Sequence, residues 1–237
     1  MVITLDGPVA SGKSSIAKAL CKHFGFYHLN TGMLYRAVAY LLEHEPATDL
    51  SWIGLLRYTY HDGKPVIMLG DKPVTANLYD PELDQAASRI SENSEIRERL
   101  LPVQRTLGAA CNIIADGRDC GSIVFPDAVV KIFLTATEQA RAERLQRADG
   151  RHYAQLPLDA IVYEIAQRDE RDMHRLVAPL IVPAGAVVVD SSDLTQEQTL
   201  DRCIELVRKK ISDAGLVPAR PACPPKPGLG GEGREEP

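Results

Sequence analysis

Residues 1–14 are Met1-Val2-Ile3-Thr4-Leu5-Asp6-Gly7-Pro8-Val9-Ala10-Ser11-Gly12-Lys13-Ser14, and this stretch decides the fold. Its apolar run predicts a buried strand that leads directly into the pattern Gly-x-x-x-x-Gly-Lys-Ser at residues 7–14. That pattern is the P-loop, whose backbone N–H groups surround an anion and whose lysine adds a charge for the β- and γ-phosphates. Ile16, Leu20 and Phe24 follow at four-residue spacing, which predicts a helix directed at the same phosphates. The stretch therefore predicts binding of a nucleoside triphosphate.

The loop itself supplies the predicted triphosphate contacts. They are Gly7, Pro8, Val9, Ala10, Ser11, Gly12, Lys13, Ser14 and Ser15. The hydroxyl of Ser14 is the predicted ligand of Mg²⁺, although the neighbouring Ser15 could take that place in this variant of the motif.

Composition sets the class of protein. The 237-residue chain is 45% hydrophobic and 25% charged, as expected for one globular α/β domain with an elaboration. Its net charge of −5 argues against a broad nucleic-acid surface. No apolar stretch is long enough to cross a bilayer, and the N-terminus enters the P-loop strand without a signal peptide. Five cysteines without paired spacing suggest reduced thiols. We therefore expect a cytoplasmic protein with no membrane or nucleic-acid partner.

The order of elements predicts a parallel sheet with an insertion. A strand at residues 26–29 and a helix at 33–43 continue the strand–helix alternation. Residues 55–75 then contain β-prone runs separated by Asp-Gly and Gly-Asp, which predict a small three-stranded antiparallel insert. Residues 79–108 follow as two helical pieces, and strands resume at 112–115, 129–134 and 186–189.

Charged residues fall where the ligands of a parallel sheet are bound. Asp116-Gly117-Arg118-Asp119 follows a predicted strand, and the carboxyl ends of strands face the ligand crevice. In the helix predicted for residues 157–174, the apolar stripe continues as Arg168, Asp172 and Arg175. Asp172 lies one turn from both arginines and is expected to hold them toward an anion. The alternative is a partly buried stripe of ion pairs with no ligand.

Taken together, these stretches resemble the bacterial cytidylate kinase family from about Val2 to Ala214. The specific motifs are Asn30-Thr31-Gly32-Met33-Leu34-Tyr35-Arg36, Ala115-Asp116-Gly117-Arg118-Asp119, Val124-Phe125-Pro126-Asp127-Ala128, Arg168-Asp169-Glu170-Arg171-Asp172 and Arg175-Leu176-Val177-Ala178-Pro179-Leu180. The resemblance implies a P-loop kinase domain over residues 1–214, with a parallel sheet flanked by helices. It also implies a monophosphate-binding insert at about 45–108 and a mobile lid at about 148–156. Proline and glycine make up nearly half of residues 215–237, which predicts a disordered tail.

The resemblance also implies the reaction and its residues. ATP with Mg²⁺ would phosphorylate CMP and dCMP. Lys13, Arg118, Arg168 and Arg175 would be catalytic, with Arg36, Arg118 and Arg175 on the acceptor phosphate. Arg168 and Asp172 would lie near the ribose and phosphate, Thr31 at the acceptor site, and Ser88, Arg97 and Asp119 on cytosine. A carboxylate suits that base, because it accepts a hydrogen bond from the exocyclic amine of cytosine and repels the carbonyl oxygen of uracil.

Some points depart from the family pattern or stay open. Asn30 stands where an acid is frequent, and Met33-Leu34 replaces a small-then-apolar pair. Four arginines of the predicted lid region are unranked candidates for charge neutralisation: Arg141, Arg144, Arg147 and Arg151. The alternatives are a P-loop kinase for UMP, AMP or a metabolite, a regulatory P-loop switch, or a nucleic-acid-binding P-loop protein. We expect a monomer.

Overall fold

The computed structural model describes residues 1–44, 49–61, 63–74, 78, 81–148 and 153–217. Its centre is a five-stranded sheet in which every neighbouring pair within the described residues is parallel. The strands are β1 (Val2–Asp6), β2 (Tyr27–Asn30), β6 (Ile113–Gly117), β7 (Val130–Thr135) and β8 (Val187–Asp190), in the order β2-β6-β1-β7-β8. The predicted α/β fold class is confirmed.

Helices cover both faces of this sheet. The described helices are α1 (Lys13–Phe24), α2 (Thr31–His44), α3 (Pro81–Ile90), α4 (Ser94–Ala110), α5 (Glu138–Ala148), α6 (Leu158–His174) and α7 (Gln196–Asp213). Of these, α5 and α6 share an apolar cluster of their own. Alternate residues of β6 enter different cores, as the two-residue period of a strand requires. Ile113 and Ala115 pack with α2 and α4, whereas Ile114 packs with residues of α1 and α7. The two cores together fix the carboxyl ends of β1 and β6 next to each other.

The predicted antiparallel insert is confirmed. Strands β3 (Leu56–His61), β4 (Lys64–Leu69) and β5 (Lys72–Pro73) form a three-stranded sheet in chain order, after a short 3₁₀ turn at Ser51–Leu55. The two predicted helical pieces are α3 and α4. Ile53, Tyr58 and Ile67 share one apolar cluster with residues of α2. The insert therefore packs directly on the main domain and brings α3 to the edge of its crevice.

Several predictions fall wholly or partly outside the described residues. In the predicted lid, residues 149–152 are not described, and Tyr153–Gln155 forms a 3₁₀ turn. In the predicted tail, residues 218–237 lie outside the description, and so does Cys223. Helix α2 begins at Thr31, two residues earlier than predicted. Among the described helices, none has the length and apolar content that crossing a membrane requires.

Candidate active site

The segments that follow β1, β2 and β6 converge on one cavity of about 270 Å³ at the carboxyl edge of the sheet. Most of the predicted site residues line it: Val9, Ala10, Gly12, Lys13, Ser14, Ser15, Thr31, Arg36, Ser88, Arg97, Arg118, Asp119, Arg168, Asp172 and Arg175. Gly7, Pro8 and Ser11 belong to the same loop and do not line this cavity. Residues predicted from five separate stretches of sequence are thus brought to one place.

Two positions of the P-loop have backbone conformations or surroundings that exclude residues larger than glycine. Gly7 has φ 150°, and a Cβ there would lie 2.0 Å from the carbonyl oxygen of Leu134. Gly12 has φ 90° and precedes the first residue of α1. Both positions therefore require glycine, one because of close approach and the other because of its left-handed backbone.

Lys13 is folded into this loop. Its Nζ donates to the carbonyl oxygen of Pro8 and to Ser11 Oγ, the latter at 3.2 Å. Burial, together with the nearby Arg118, lowers the pKa of Lys13 well below its usual range. An anion bound in the loop would favour the charged ammonium again, so the site is electrostatically prepared for a phosphate.

Ser14 belongs to a group of oxygen ligands at the end of β6. Its Oγ donates to Asp116 Oδ2 at 2.5 Å, and Asp116 Oδ1 lies 2.6 Å from His28 Nε2. Asn30 Nδ2 also contacts Ser14 Oγ, at 3.3 Å. Burial opposes ionisation of Asp116, but His28, Ser14 and the charge of Lys13 together outweigh it and lower the pKa of that carboxyl. Adjacent hydroxyl and carboxylate oxygens suit Mg²⁺, so the residues present fit the predicted metal.

Ser15 is exposed, and only Ser14 of the two serines contacts Asp116. The geometry therefore favours Ser14 of the two hydroxyls left open by the motif. Asp116 stood in a stretch singled out from the sequence but was not itself assigned, and His28 was missed. No sequence spacing signals the contact between them, since it joins residues on neighbouring strands.

The arginines on the other side of the cavity are paired with carboxylates. Arg118 Nε donates to Asp172 Oδ2 at 2.7 Å. Arg175 Nη1 lies 3.8 Å from Asp172 Oδ1, and Arg175 Nη2 lies 3.9 Å from Asp119 Oδ1. Burial, with the like charge of Arg97, lowers the pKa of Arg175. Two buried guanidinium atoms, Arg175 Nη2 and Arg168 Nε, have no hydrogen-bond partner among the described residues.

The prediction that Asp172 holds both Arg168 and Arg175 is only half right. Asp172 lies beside Arg175, but Arg168 pairs instead with Asp84 of α3. Asp84 Oδ2 accepts from Arg168 Nη1, and Asp84 Oδ1 accepts from Arg36 Nε at 3.0 Å and Nη2 at 2.8 Å. The two arginines thus share one carboxylate from the insert, a residue that the sequence did not single out.

The three residues predicted to contact cytosine are close together. Arg97 Nη2 donates to Asp119 Oδ2, and Arg97 Nη1 donates to the carbonyl oxygen of Ser91 at 3.0 Å. The guanidinium carbon of Arg97 lies 5.5 Å from the centre of the Tyr35 ring. Ser88 Oγ is buried and has no hydrogen-bond partner within the part of the chain described. Such a hydroxyl, in the same cavity as the carboxylate of Asp119, is suited to hydrogen-bonding a polar ligand.

The described candidate arginines of the lid region have different positions. Arg141 is buried, and its Nη1 donates to Asp169 Oδ2 and to the carbonyl oxygen of Val9, whose own N–H donates to Asp169. Arg144 contacts the Oγ and carbonyl oxygen of Ser191. Arg147 is exposed and pairs with Glu143. Arg141 therefore anchors the P-loop at Val9. Arg144 and Arg147 line a groove that P-loop residues also line. Arg151 lies outside the described residues.

A second groove of about 600 Å³ adjoins the P-loop on the side away from the paired arginines. Its lining includes Ser11, Ser15, Arg144, Arg147 and Thr195. Among the described residues, the first cavity carries six cationic and four carboxylate side chains, which leaves an excess of positive charge. The arrangement thus offers a P-loop between a polar groove and a cationic cavity.

Comparison with known proteins agrees with this arrangement. A model of the family described as cytidylate kinase matches residues 3–209. The cytidylate kinase of Chlamydia caviae is 41% identical over 217 residues, covering 89% of this chain and 100% of the relative. That of Salmonella typhimurium is 35% identical over 219 residues, covering 89% and 96%. The solved shikimate kinase of Bacteroides thetaiotaomicron is similar at TM-score 0.46 and 16% identity, covering 88% and 98%. The chain therefore belongs to the cytidylate kinase family and is a nucleoside monophosphate kinase.

Proposed function

We propose that this protein transfers the γ-phosphoryl group of ATP to CMP and dCMP, giving CDP and dCDP. The observation that carries the choice of base is that Asp119, Arg97 and Ser88 are all buried and line the same arginine-rich cavity. Asp119 accepts from the exocyclic amine of cytosine, and the hydroxyl of Ser88 gains the partner it lacks. Uracil would bring a carbonyl oxygen to the same carboxylate and be rejected.

The donor is held by residues 7–15. Backbone N–H groups of the loop and Nζ of Lys13 bind the β- and γ-phosphates, and the adenosine lies in the adjoining groove near Arg144. Ser14 and Asp116 would hold Mg²⁺, which supplies charge neutralisation on the donor phosphates when bound. His28 keeps Asp116 turned toward Ser14 through the contact at Oδ1.

The acceptor is held by side chains. Arg36, Arg118 and Arg175 bind its phosphate, Arg168 and Asp172 lie near its ribose and phosphate, and Thr31 contributes to the same site. The positive excess of the cavity suits a phosphate monoester dianion. Arg168 Nε and Arg175 Nη2, which have no hydrogen-bond partner within the described part of the chain, are available to it.

The reaction needs positioning more than acid–base chemistry. An oxygen of the acceptor phosphate is already anionic, so it attacks the γ-phosphorus without a general base while the bond to the β-phosphate oxygen breaks. Arg118, Arg168 and Arg175 offset the charge of two converging anions. The lid predicted at about 148–156, of which residues 149–152 lie outside the described residues, remains a prediction; its role would be to exclude water from the transferring group. A cytoplasmic location and a monomeric state remain predictions.

The test is a coupled assay of ADP release with Mg-ATP and one acceptor at a time, chosen from CMP, dCMP, UMP and AMP, with a control lacking acceptor. Turnover with CMP and dCMP alone supports both the reaction and the base contacts. Equal turnover with UMP would keep the kinase reaction and reject Asp119 as the discriminating residue. ADP release that is independent of any acceptor would contradict the proposal altogether.

A further inference from the structure

One carboxylate of the cavity has no part in the reaction proposed above. Asp84 on α3 joins two arginines that come from different helices, Arg36 on α2 and Arg168 on α6. Asp84 accepts hydrogen bonds from three arginine nitrogens: Arg36 Nε, Arg36 Nη2 and Arg168 Nη1. The Asp84 side chain is about one-third exposed and lines the cavity itself, so it is within reach of a bound ligand.

The charge of Asp84 is firmly held. Burial opposes its ionisation, but Arg168 and Arg36 outweigh that cost and keep the pKa of the carboxyl well below its ordinary range. Asp84 is therefore an anion at neutral pH, bound by the donors that the acceptor nucleotide would need. It occupies these arginines much as a ligand phosphate would, since carboxylate and phosphate oxygens accept from guanidinium groups in the same forked geometry.

We propose that Asp84 is an internal counter-ion that sets the affinity for the acceptor by competing with its phosphate for Arg36 and Arg168. The inference rests on the proposed function in taking a nucleoside monophosphate as the acceptor. Asp84 lowers the affinity for the phosphate group alone and leaves contacts to the base unchanged. The negative charge of Asp84 also offsets the mutual repulsion of the Arg36 and Arg168 guanidinium groups that it joins.

The test compares a charged ligand with its neutral counterpart. Dissociation constants of CMP and cytidine are measured by calorimetry, without ATP, for the full-length wild type and for Asp84→Asn. Because the variant removes the negative charge that competes with the phosphate, the dissociation constant of CMP is expected to fall about tenfold and that of cytidine to stay unchanged. The KM of Asp84→Asn for CMP should also be lower than that of the wild type. An Asp84→Asn protein that binds CMP no more tightly than the wild type, or more weakly, overturns the proposal, because Asp84 would then orient the arginines.

A matched control is available on the next helix. Glu95 accepts from Arg99 Nε at 3.0 Å and Nη2 at 2.8 Å, the same two distances as in the Arg36–Asp84 pair, but it lies outside the cavity. Glu95→Gln should change neither ligand's affinity. Asp84→Glu keeps the charge and should stay near the wild-type ratio of CMP to cytidine binding. Asp84→Ser is a second neutral variant should Asp84→Asn unfold, which circular dichroism would show.

An error in the proposed acceptor, CMP, can be distinguished from an error in the role of Asp84. If the wild type phosphorylates UMP or AMP in place of CMP, the cytosine contacts are wrong, and the same measurement is made with that monophosphate and its nucleoside. The role of Asp84 stands if the monophosphate alone is tightened and falls if it is not.

Discussion

The two halves of this site are built in opposite ways. The triphosphate side is a single run of residues, 7–15, in which backbone N–H groups and one lysine form the predicted cage. The acceptor side is assembled from side chains of α2, α3, α4, α6 and the turn after β6. Its arginines contact carboxylates, as in the pairs Arg118–Asp172 and Arg97–Asp119.

The difference separates recognition of phosphate from recognition of a particular nucleotide. A backbone cage binds any chain of phosphates, because each residue contributes the same N–H group. Side chains held in place by buried ion pairs are selective, since a ligand that cannot complete their hydrogen bonds leaves buried polar groups unpaired. Changes on the triphosphate side should therefore affect all acceptors equally, whereas changes on the acceptor side should alter the choice among them.

The largest expected effect is at Lys13. Replacing it with alanine should lower kcat by about 10³-fold for every acceptor, because the charge that meets the β- and γ-phosphates is lost. Binding of CMP without ATP should stay close to that of the wild type. Lys18→Ala, an exposed position on the same helix, is the control. Steady-state kinetics and calorimetry make the comparison, and a variant that changed the ranking of acceptors would break the proposed division between the two sides.

A smaller effect, in selectivity, is expected at Asp119. In Asp119→Asn the side-chain amide can turn its NH₂ group toward a carbonyl oxygen, so uracil is no longer repelled. The ratio of kcat/KM for CMP over UMP should fall by about 10²-fold, with the KM for ATP unchanged. Asp127→Asn alters an exposed aspartate nearby in sequence and should leave this ratio intact. An unchanged ratio in Asp119→Asn would mean that the base is selected elsewhere.

The third prediction concerns stability at the junction of the two sides. Asp6 ends β1 just before the P-loop and accepts from the N–H groups of Cys120 and Gly121 on the acceptor side, both at 2.7 Å. Burial raises the pKa of Asp6 to about 6, and these two hydrogen bonds only partly offset it. Because the folded state holds this proton more tightly than the unfolded chain, Asp6 stabilises the fold most at low pH. That contribution disappears as the pH rises from about 4 to about 6.

Urea unfolding of the wild type and Asp6→Asn between pH 4 and pH 7 measures this contribution. The difference in unfolding free energy, wild type minus variant, should decline by up to about 3 kcal/mol over that interval and then level off. A difference that increased with pH would show that Asp6 is stabilised as an anion, contrary to the prediction.

Features formed by continuous stretches of the chain could be predicted from the sequence, whereas the side-chain pairs between helices could not. The P-loop, the alternation of strands and helices, and the antiparallel insert are local patterns, so the fold class followed from them. The partner of Asp172 was expected one turn away, yet its close partner is Arg118, 54 residues distant. Asp84 gave no signal, because its contacts with Arg36 and Arg168 exist only once three helices have packed together. Periodicity shows which face of a helix is inward but not which residue it meets there.

Helix α6 gives these results a consequence for protein engineering. Two consecutive residues of this helix serve opposite halves of the site: Arg168 contacts Asp84, and Asp169 contacts Arg141 and the backbone of Val9 in the P-loop. A chimera that exchanges only the insert between relatives would import Asp84, Ser88 and Arg97 but retain the host's α6. Grafts intended to change the acceptor should therefore be designed together with α6, and the register between Arg168 and Asp169 must be kept, since a one-residue shift would disconnect both halves at once.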